Sequence, residues 1–448
     1  MGGTETATQP QHRKPRHGFL PISLAKYLTL LDLTGRCLVL RHGQTSSHPR
    51  SGRATHLEAP ATVCRGPSSD TRRLTDPLMI RHDGYRLKDP DALETPAMLL
   101  FHDAMEHNIR SVCELVGGGE NLLVHVKTHK SEAVARKEVE HGIAGFKCAT
   151  LKELGMVLKA GAGKAILAYP QVQARKLDRF CDLVSQYPEA WIATIISSRA
   201  HLEVLSDMAN ERQLPLNVMI DLDAGMHRTG IGFGDEARQM YRDLHGHDYL
   251  HPAGLHLYDG HEHHTDLGKR EAAARVHIED LKDFQRQLES EGLPVRCVVA
   301  GGSFAFAYYA RTDGMYGSPG TFIYWDAGFR AVLPDMPFRY AALVLTQVVD
   351  RYPAKGTFTT DLGCKAICTD LPEAERAVLL GHETAHLVLQ DEEHGVFRKD
   401  GELPQVGDYL LAVPGHVCTT TIRYPGIHVI DGSGERIDYF PHTARDRQ

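Results

Sequence analysis

The sequence predicts an α/β fold, a (β/α)8 TIM-type barrel followed by a small antiparallel β domain, and three observations carry that reading. From about residue 95, short apolar runs alternate with amphipathic helical segments at intervals of roughly 20 to 40 residues, the texture of parallel βαβ units. After about residue 335 the helical pattern stops and short β-type runs separated by Gly- and Pro-rich turns take over. Polar and glycine-rich groups follow several of the earlier runs, and the carboxyl ends of barrel strands are where such folds place their chemistry. An open doubly wound sheet is the alternative, but no GxGxxG fingerprint opens any helix.

Taken in order, residues 1–80 read as a poorly ordered N-terminal extension, rich in Arg, His, Thr, Ser and Pro. Within it, residues 20–40 carry an apolar pattern that could form a helix and a strand. Leu38-Val39-Leu40-Arg41-His42-Gly43-Gln44-Thr45 resembles the phosphate-pocket signature of histidine phosphatases. A polar Pro/Ser/Arg tract follows instead of the α/β domain that motif needs, so the match reads as chance.

Residues 95–330 carry the barrel pattern. Its strand-like runs are 97–101, 122–126, 145–149, 165–169, 193–197, 217–222, 253–258, 296–300 and 321–324. Nine runs for eight places make the first a candidate to belong elsewhere. Thr150 can cap a helix that passes through Leu154, Val157 and Leu158 to Gly161. A longer helix over 269–291 puts Ala273, Val276, Ile278, Leu281, Phe284 and Leu288 on roughly one side before Gly292 and Pro294 stop it. Residues 335–445 form the β domain, with runs at 342–349, 357–361, 377–380, 385–389, 409–413, 419–423 and 428–430; residues 81–95 are a candidate addition to it.

Composition narrows the function. With 448 residues, 42% apolar and 24% charged, the chain can bury a large core, and a formal net charge of −7 gives no basic footprint for nucleic acid or an anionic membrane. Nine cysteines, scattered and without a CxxC pair, suit a reducing compartment, and no run approaches the roughly 20 apolar residues of a spanning helix or resembles a signal peptide. The expected location is cytoplasmic. The 27 histidines invite a metal hypothesis without locating it.

The stretch His125-Val126-Lys127-Thr128-His129-Lys130 directly follows an apolar run, so Lys127 is expected at a strand's carboxyl end. Most lysines are solvated surface groups. Here alternation on an extended segment would put His125, Lys127 and His129 on one face, and a lysine crowded by apolar walls and imidazoliums becomes a usable amine nucleophile for a carbonyl substrate or pyridoxal phosphate. Asp221, Asp223 and Arg228, then Tyr258-Asp259-Gly260-His261, end two later runs. Gly301-Gly302-Ser303 offers backbone N–H groups and a hydroxyl to a phosphate, although Gly-Gly also makes ordinary turns, and Ser318-Pro319-Gly320-Thr321 supplies a second small-residue loop.

Two metal readings compete. His382-Glu383-Thr384-Ala385-His386 matches the zincin HExxH, which needs a helix, but its flanks favour a strand. His261-Glu262-His263-His264 reads as a polar loop. His416-Val417-Cys418 is the better candidate, because i and i+2 on a strand project to one face and an imidazole plus a thiolate suits zinc. A buried His and Cys on a strand is the plain alternative.

As a set, Thr95-Pro96, His125 to Lys130, Asp221 to Gly230, His256 to His261, Gly301-Gly302-Ser303, Glu392-Glu393-His394-Gly395 and Pro414 to Cys418 resemble fold-type III pyridoxal-phosphate enzymes, specifically the D-threonine aldolase and D-serine dehydratase family. The resemblance spans about Asp89 to Arg445, and seven matches in order are more specific than any one. It implies an alanine-racemase-like barrel with a β domain, usually as a homodimer. It implies Lys127 as the lysine that holds pyridoxal 5'-phosphate, Arg228 near the cofactor's phenolic oxygen and Tyr258 facing its pyridine nitrogen. Gly302, Ser303, Gly320 and Thr321 would cradle the phosphate, and His416 and Cys418 would bind a divalent metal (Zn, Mn or Mg). Two positions depart from the family: Leu123-Val124 stand where Arg-Pro is usual, and Thr419 where a proline often follows the metal cysteine.

The resemblance further implies a D-3-hydroxy amino acid as substrate, with the cofactor as electron sink and the metal on the β-hydroxyl. Breaking Cα–Cβ gives glycine and an aldehyde; losing the hydroxyl gives a 2-oxo acid and ammonia. Tyr258-Asp259-Gly260-His261 looks more like the aldolase branch. A non-catalytic pyridoxal-phosphate carrier and a zinc protease dependent on Glu383 are readings of other classes.

Overall fold

The computed structural model describes residues 79–447. Residues 1–78 of the N-terminal extension, including the 38–45 motif, lie outside the described residues, and its last two belong to the strand Met79–His82.

Eight parallel strands form the barrel: Leu123–His125, Gly145–Cys148, Lys164–Leu167, Trp191–Ile196, Leu216–Leu222, Leu250–Leu257, Val298–Ala300 and Met315–Gly317. They are hydrogen-bonded in sequence order, and a bridge between Leu122 and Gly317 brings the last strand to the first. The eighth strand is thus Met315–Gly317, not 321–324. Thr321–Ile323 is a 3-10 turn instead, its Thr321 carbonyl accepting from Trp325 N at 2.8 Å.

Strand alternation fills the barrel in layers. Leu123, Ile166, Ala193, Ile195, Met219 and Val299 pack together as an interior apolar plug. Two residues further along their strands, on the same face, stand His125 and Asp221, and Lys147 is in register with His125. A polar layer therefore caps an apolar one at the carboxyl end. Gly254 lets the sixth strand curve, since at its φ of +136° a Cβ would meet the Cys297 carbonyl oxygen at 1.8 Å.

The surrounding helices follow the sequence closely. Thr150 caps Leu151–Lys159 by accepting from Glu153 N. The long helix runs Leu267–Ser290 and buries Arg270, Ala274, His277, Leu281, Phe284 and Leu288. Val276, expected on that side, is 56% exposed, because the stripe follows a 3.6-residue period centred on Leu281.

Ala97–Phe101 leaves the barrel for a second sheet, pairing antiparallel with Ala342–Tyr352 and parallel with Gly426–Ile430. That sheet has nine strands and includes Gly395–Arg398 and Arg436–Pro441, neither of which is among the runs expected from the sequence. Segment 419–423 is not a strand: Val417–Thr421 is a short helix in which the Thr420 and Thr421 hydroxyls each donate back to carbonyls four residues earlier at 2.9 Å. Among the described residues no helix is long and apolar enough to cross a membrane.

Candidate active site

Lys127 follows the first barrel strand, but the chain does not stay extended there. The strand ends at His125, a turn follows, and the three-residue face expected from alternation breaks up. His125 Nδ1 accepts from Lys127 N at 3.3 Å, whereas His129 is buried beneath, with Nδ1 near the Ser131 backbone and Nε2 3.4 Å from Glu138. The Lys127 side chain stays exposed at the barrel mouth.

There it opens into a cavity of about 340 Å³. Tyr258, Gly302, Ser303, Gly320, Thr321, His416 and Cys418 line the same cavity, so eight of the nine residues singled out in the sequence converge on it. Arg228 lines the adjoining cavity, which shares His125, Lys127, Lys147 and Tyr258 with the first. Tyr258 is the hub: its ring centroid is 4.8 Å from the Arg228 guanidinium carbon, 5.4 Å from Lys147 Nζ and 5.9 Å from Lys127 Nζ.

Small residues form the floor. A Cβ at Gly302 would stand 2.8 Å from the Tyr258 ring, and one at Gly320 would stand 3.0 Å from the His125 carbonyl oxygen. Ser318, the start of the second small-residue loop, spends its hydroxyl on the Leu123 carbonyl at 2.7 Å and holds the loop in place.

Below lies a buried polar network. His256 and Asp221 share a hydrogen bond of 2.7 Å, and Tyr309 donates to Asp259 at 2.9 Å. Burial, then the Lys127 and Lys147 charges, hold His125 well below the ordinary histidine range; burial likewise lowers His256 and raises Asp259. Asp221 Oδ2 and His256 Nε2 have no hydrogen-bond partner among the described residues, an unfilled polar demand next to the cavity.

His416 and Cys418 reach the cavity from the β domain, though not as neighbours on a strand. The strand ends at Pro414, and His416 is the N-cap residue of the short helix. Burial would depress His416, but its hydrogen bond to Cys418 and its pairing with Asp370 outweigh burial and push it up to about 9. Burial would raise the Cys418 thiol, but His416, Lys127 and Thr128 reverse that and lower it. The pair thus brings a sulfur and a nitrogen donor to the cavity, with the ring oriented by a carboxylate on its Nδ1, a donor set that fits a divalent metal once it displaces their protons. Among the described residues no group of three or more His, Cys, Asp and Glu is arranged to hold a metal ion.

Two participants escaped the sequence reading. Lys147 interrupts the apolar run Gly145–Cys148 at an inward position, a signal that was legible. Asp370 lies 46 residues from His416, and nothing local marks it. The HExxH segment is a turn entering strand His386–Gln390, so no helix presents its two imidazoles together. His261 to His264 is a loop in which Glu262 pairs with His264 at 2.8 Å.

Fold and site together define a lysine-centred (β/α)8 barrel with an appended β domain that contributes a His/Cys pair. Residues 102–327 match the family described as alanine racemase, N-terminal domain, and residues 341–430 match the putative serine dehydratase domain. The chain belongs to this alanine-racemase-like family. It is 25% identical to a 3-hydroxy-D-aspartate aldolase of Paracoccus denitrificans (strain Pd 1222), over 80% of this chain and 94% of that protein. It is 26% identical to a D-threo-3-hydroxyaspartate dehydratase of Delftia sp. (strain HT23), over 76% and 95%. The solved D-threonine aldolase from Filomicrobium marinum superposes with a TM-score of 0.72 at 25% identity, covering 79% of this chain and 96% of that one.

Proposed function

We infer that the protein is a lyase of D-3-hydroxy amino acids, a pyridoxal-phosphate- and divalent-metal-dependent D-threonine aldolase that cleaves its substrate to glycine and an aldehyde. The convergence of Lys127 with the His416/Cys418 pair in one cavity carries this reading. An amine alone would suit a carrier, and a carrier needs neither the β domain nor the metal pair.

Pyridoxal phosphate bound there supplies an electron sink for charge developing at the substrate Cα. Lys127 would bond it. Arg228 would serve the phenolic oxygen and Tyr258 the pyridine nitrogen, while Gly302, Ser303, Gly320 and Thr321 would offer N–H groups and a hydroxyl to the phosphate. The glycine floor and the unpartnered Asp221 and His256 atoms fit such a group. His416 and Cys418 would hold zinc, manganese or magnesium for the substrate β-hydroxyl. A homodimer in the cytoplasm belongs to the same proposal.

The test is the absorption spectrum of the purified protein, then D-threonine with Mn²⁺ or Zn²⁺ and identification of the products. Glycine and acetaldehyde, with a cofactor band lost in Lys127→Ala, support the aldolase. The match to a putative serine dehydratase domain favours one second reading, in which 2-oxobutanoate and ammonia appear instead. Turnover lost in His416→Ala with the band retained separates either enzyme from a carrier.

A further inference from the structure

Lys147 is only 3% exposed, an unusual position for an amine, and it lines both cavities that Lys127 lines. The two Nζ atoms approach the same Tyr258 ring, Lys147 at 5.4 Å and Lys127 at 5.9 Å from its centroid. Lys127 opens to the mouth; Lys147 stands below it in the polar layer. The reading of Lys127 as the cofactor lysine leaves Lys147 without a role.

We propose that Lys147 is the proton acceptor for Lys127, taking the proton that Lys127 must lose before its nitrogen can bond a carbonyl carbon. The proposal rests on the cofactor reading above, and Lys147 acts through Lys127. Lys127 passes one proton to Lys147, bonds through nitrogen to the carbonyl carbon, and releases its other two protons with the carbonyl oxygen as one water. Lys147 carries the transferred proton and then yields it to solvent, so the step balances without another reactant.

The surroundings suit an acceptor. Lys127 and Arg228 oppose a charge on Lys147, Asp221 and Asp259 favour one, and Tyr258, His125 and His256 also face it. Burial, then Lys127, dominates and brings Lys147 down to about 7, so above neutrality it is a free base lining the same cavity as the amine that needs one.

The experiment uses the full chain stripped of cofactor and follows the absorbance of added pyridoxal phosphate as it is captured between pH 6 and 10. Borohydride reduction and peptide mapping then locate the attachment. In the wild type, capture should rise through about pH 7, with the label on Lys127. Lys147→Met keeps the chain length and removes the acceptor. The label should stay on Lys127, the profile should move up by more than one pH unit, and capture at pH 7.5 should slow about tenfold or more. Lys147→Arg, a cation that accepts no proton, should not restore capture, and Lys147→Gln repeats the test if the Met variant does not fold. An unchanged profile in Lys147→Met, full rescue by Arg, or a label on Lys147 would overturn the proposal. No capture by the wild type would instead overturn the cofactor reading, and this inference with it.

Discussion

Thr128 Oγ1 lies 3.2 Å from Cys418 Sγ, tying the turn after the first barrel strand to the β domain at the point where both enter the cavity. Lys127 and the contact to Cys418 thereby come from adjacent residues of one turn. Thr128 is one of the groups that lower the Cys418 thiol, after His416 and Lys127. In metal-free protein, Thr128→Val should move the pH midpoint of Cys418 alkylation upward, and His416→Ala should move it further. A midpoint unmoved in both variants would show that neither group lowers the Cys418 thiol.

Asp370 takes His416 Nδ1, and Thr419 donates to the other carboxylate oxygen at 2.7 Å. Thr419, one of the two departures from the family pattern, thus has a definite job: it fixes the carboxylate that orients the imidazole. Outer carboxylates of this kind typically contribute roughly 10- to 100-fold to metal affinity. Asp370→Asn should weaken Mn²⁺ or Zn²⁺ binding by about that factor, read by titration calorimetry, and Thr419→Ala should cost less.

Much of this was legible in the sequence, for physical reasons that differ between elements. Barrel strands buried on both faces read as continuous apolar runs, so seven of the eight declared themselves; the eighth, Met315–Gly317, lies between Gly314 and the Gly317-Ser318-Pro319-Gly320 turn and makes no apolar run. Arg436–Pro441 alternates Ile437 and Tyr439 with charged residues over only four positions, and both of these apolar side chains are exposed. The convergence of Lys127 with Cys418 was reached through ordered motifs; local geometry assigned His416 and Cys418 to a strand that ends two residues too early. Asp370 depends on how the β domain folds back, which spacing does not encode. Lys147 was readable as a charge inside an apolar run and was passed over there.

Asn108 is fully buried and stitches a barrel helix to the segment entering the β sheet. Its Nδ2 donates to the Arg339 carbonyl at 2.8 Å and the Ile323 carbonyl at 3.3 Å, and its Oδ1 accepts from Arg339 N at 2.7 Å. Alanine would leave three backbone groups without this partner. Asn108→Ala should destabilise the fold by about 1–3 kcal/mol in urea unfolding, while leaving the wavelength of the bound cofactor unchanged.

His442 is 4% exposed and its Nδ1 lies 2.9 Å from the Tyr424 carbonyl oxygen. Burial brings it from 6.5 down to about 4. Between those values the unfolded chain binds a proton that the folded protein refuses, so falling pH favours unfolding. The stability associated with neutral His442 is therefore complete above about pH 6.5, declines as pH falls towards 4, and changes no further below. His442→Gln keeps a polar side chain without the titration. Its stability should fall less steeply than that of the wild type between pH 6.5 and 4 in parallel urea melts, and equal slopes would show that His442 is not the group responsible.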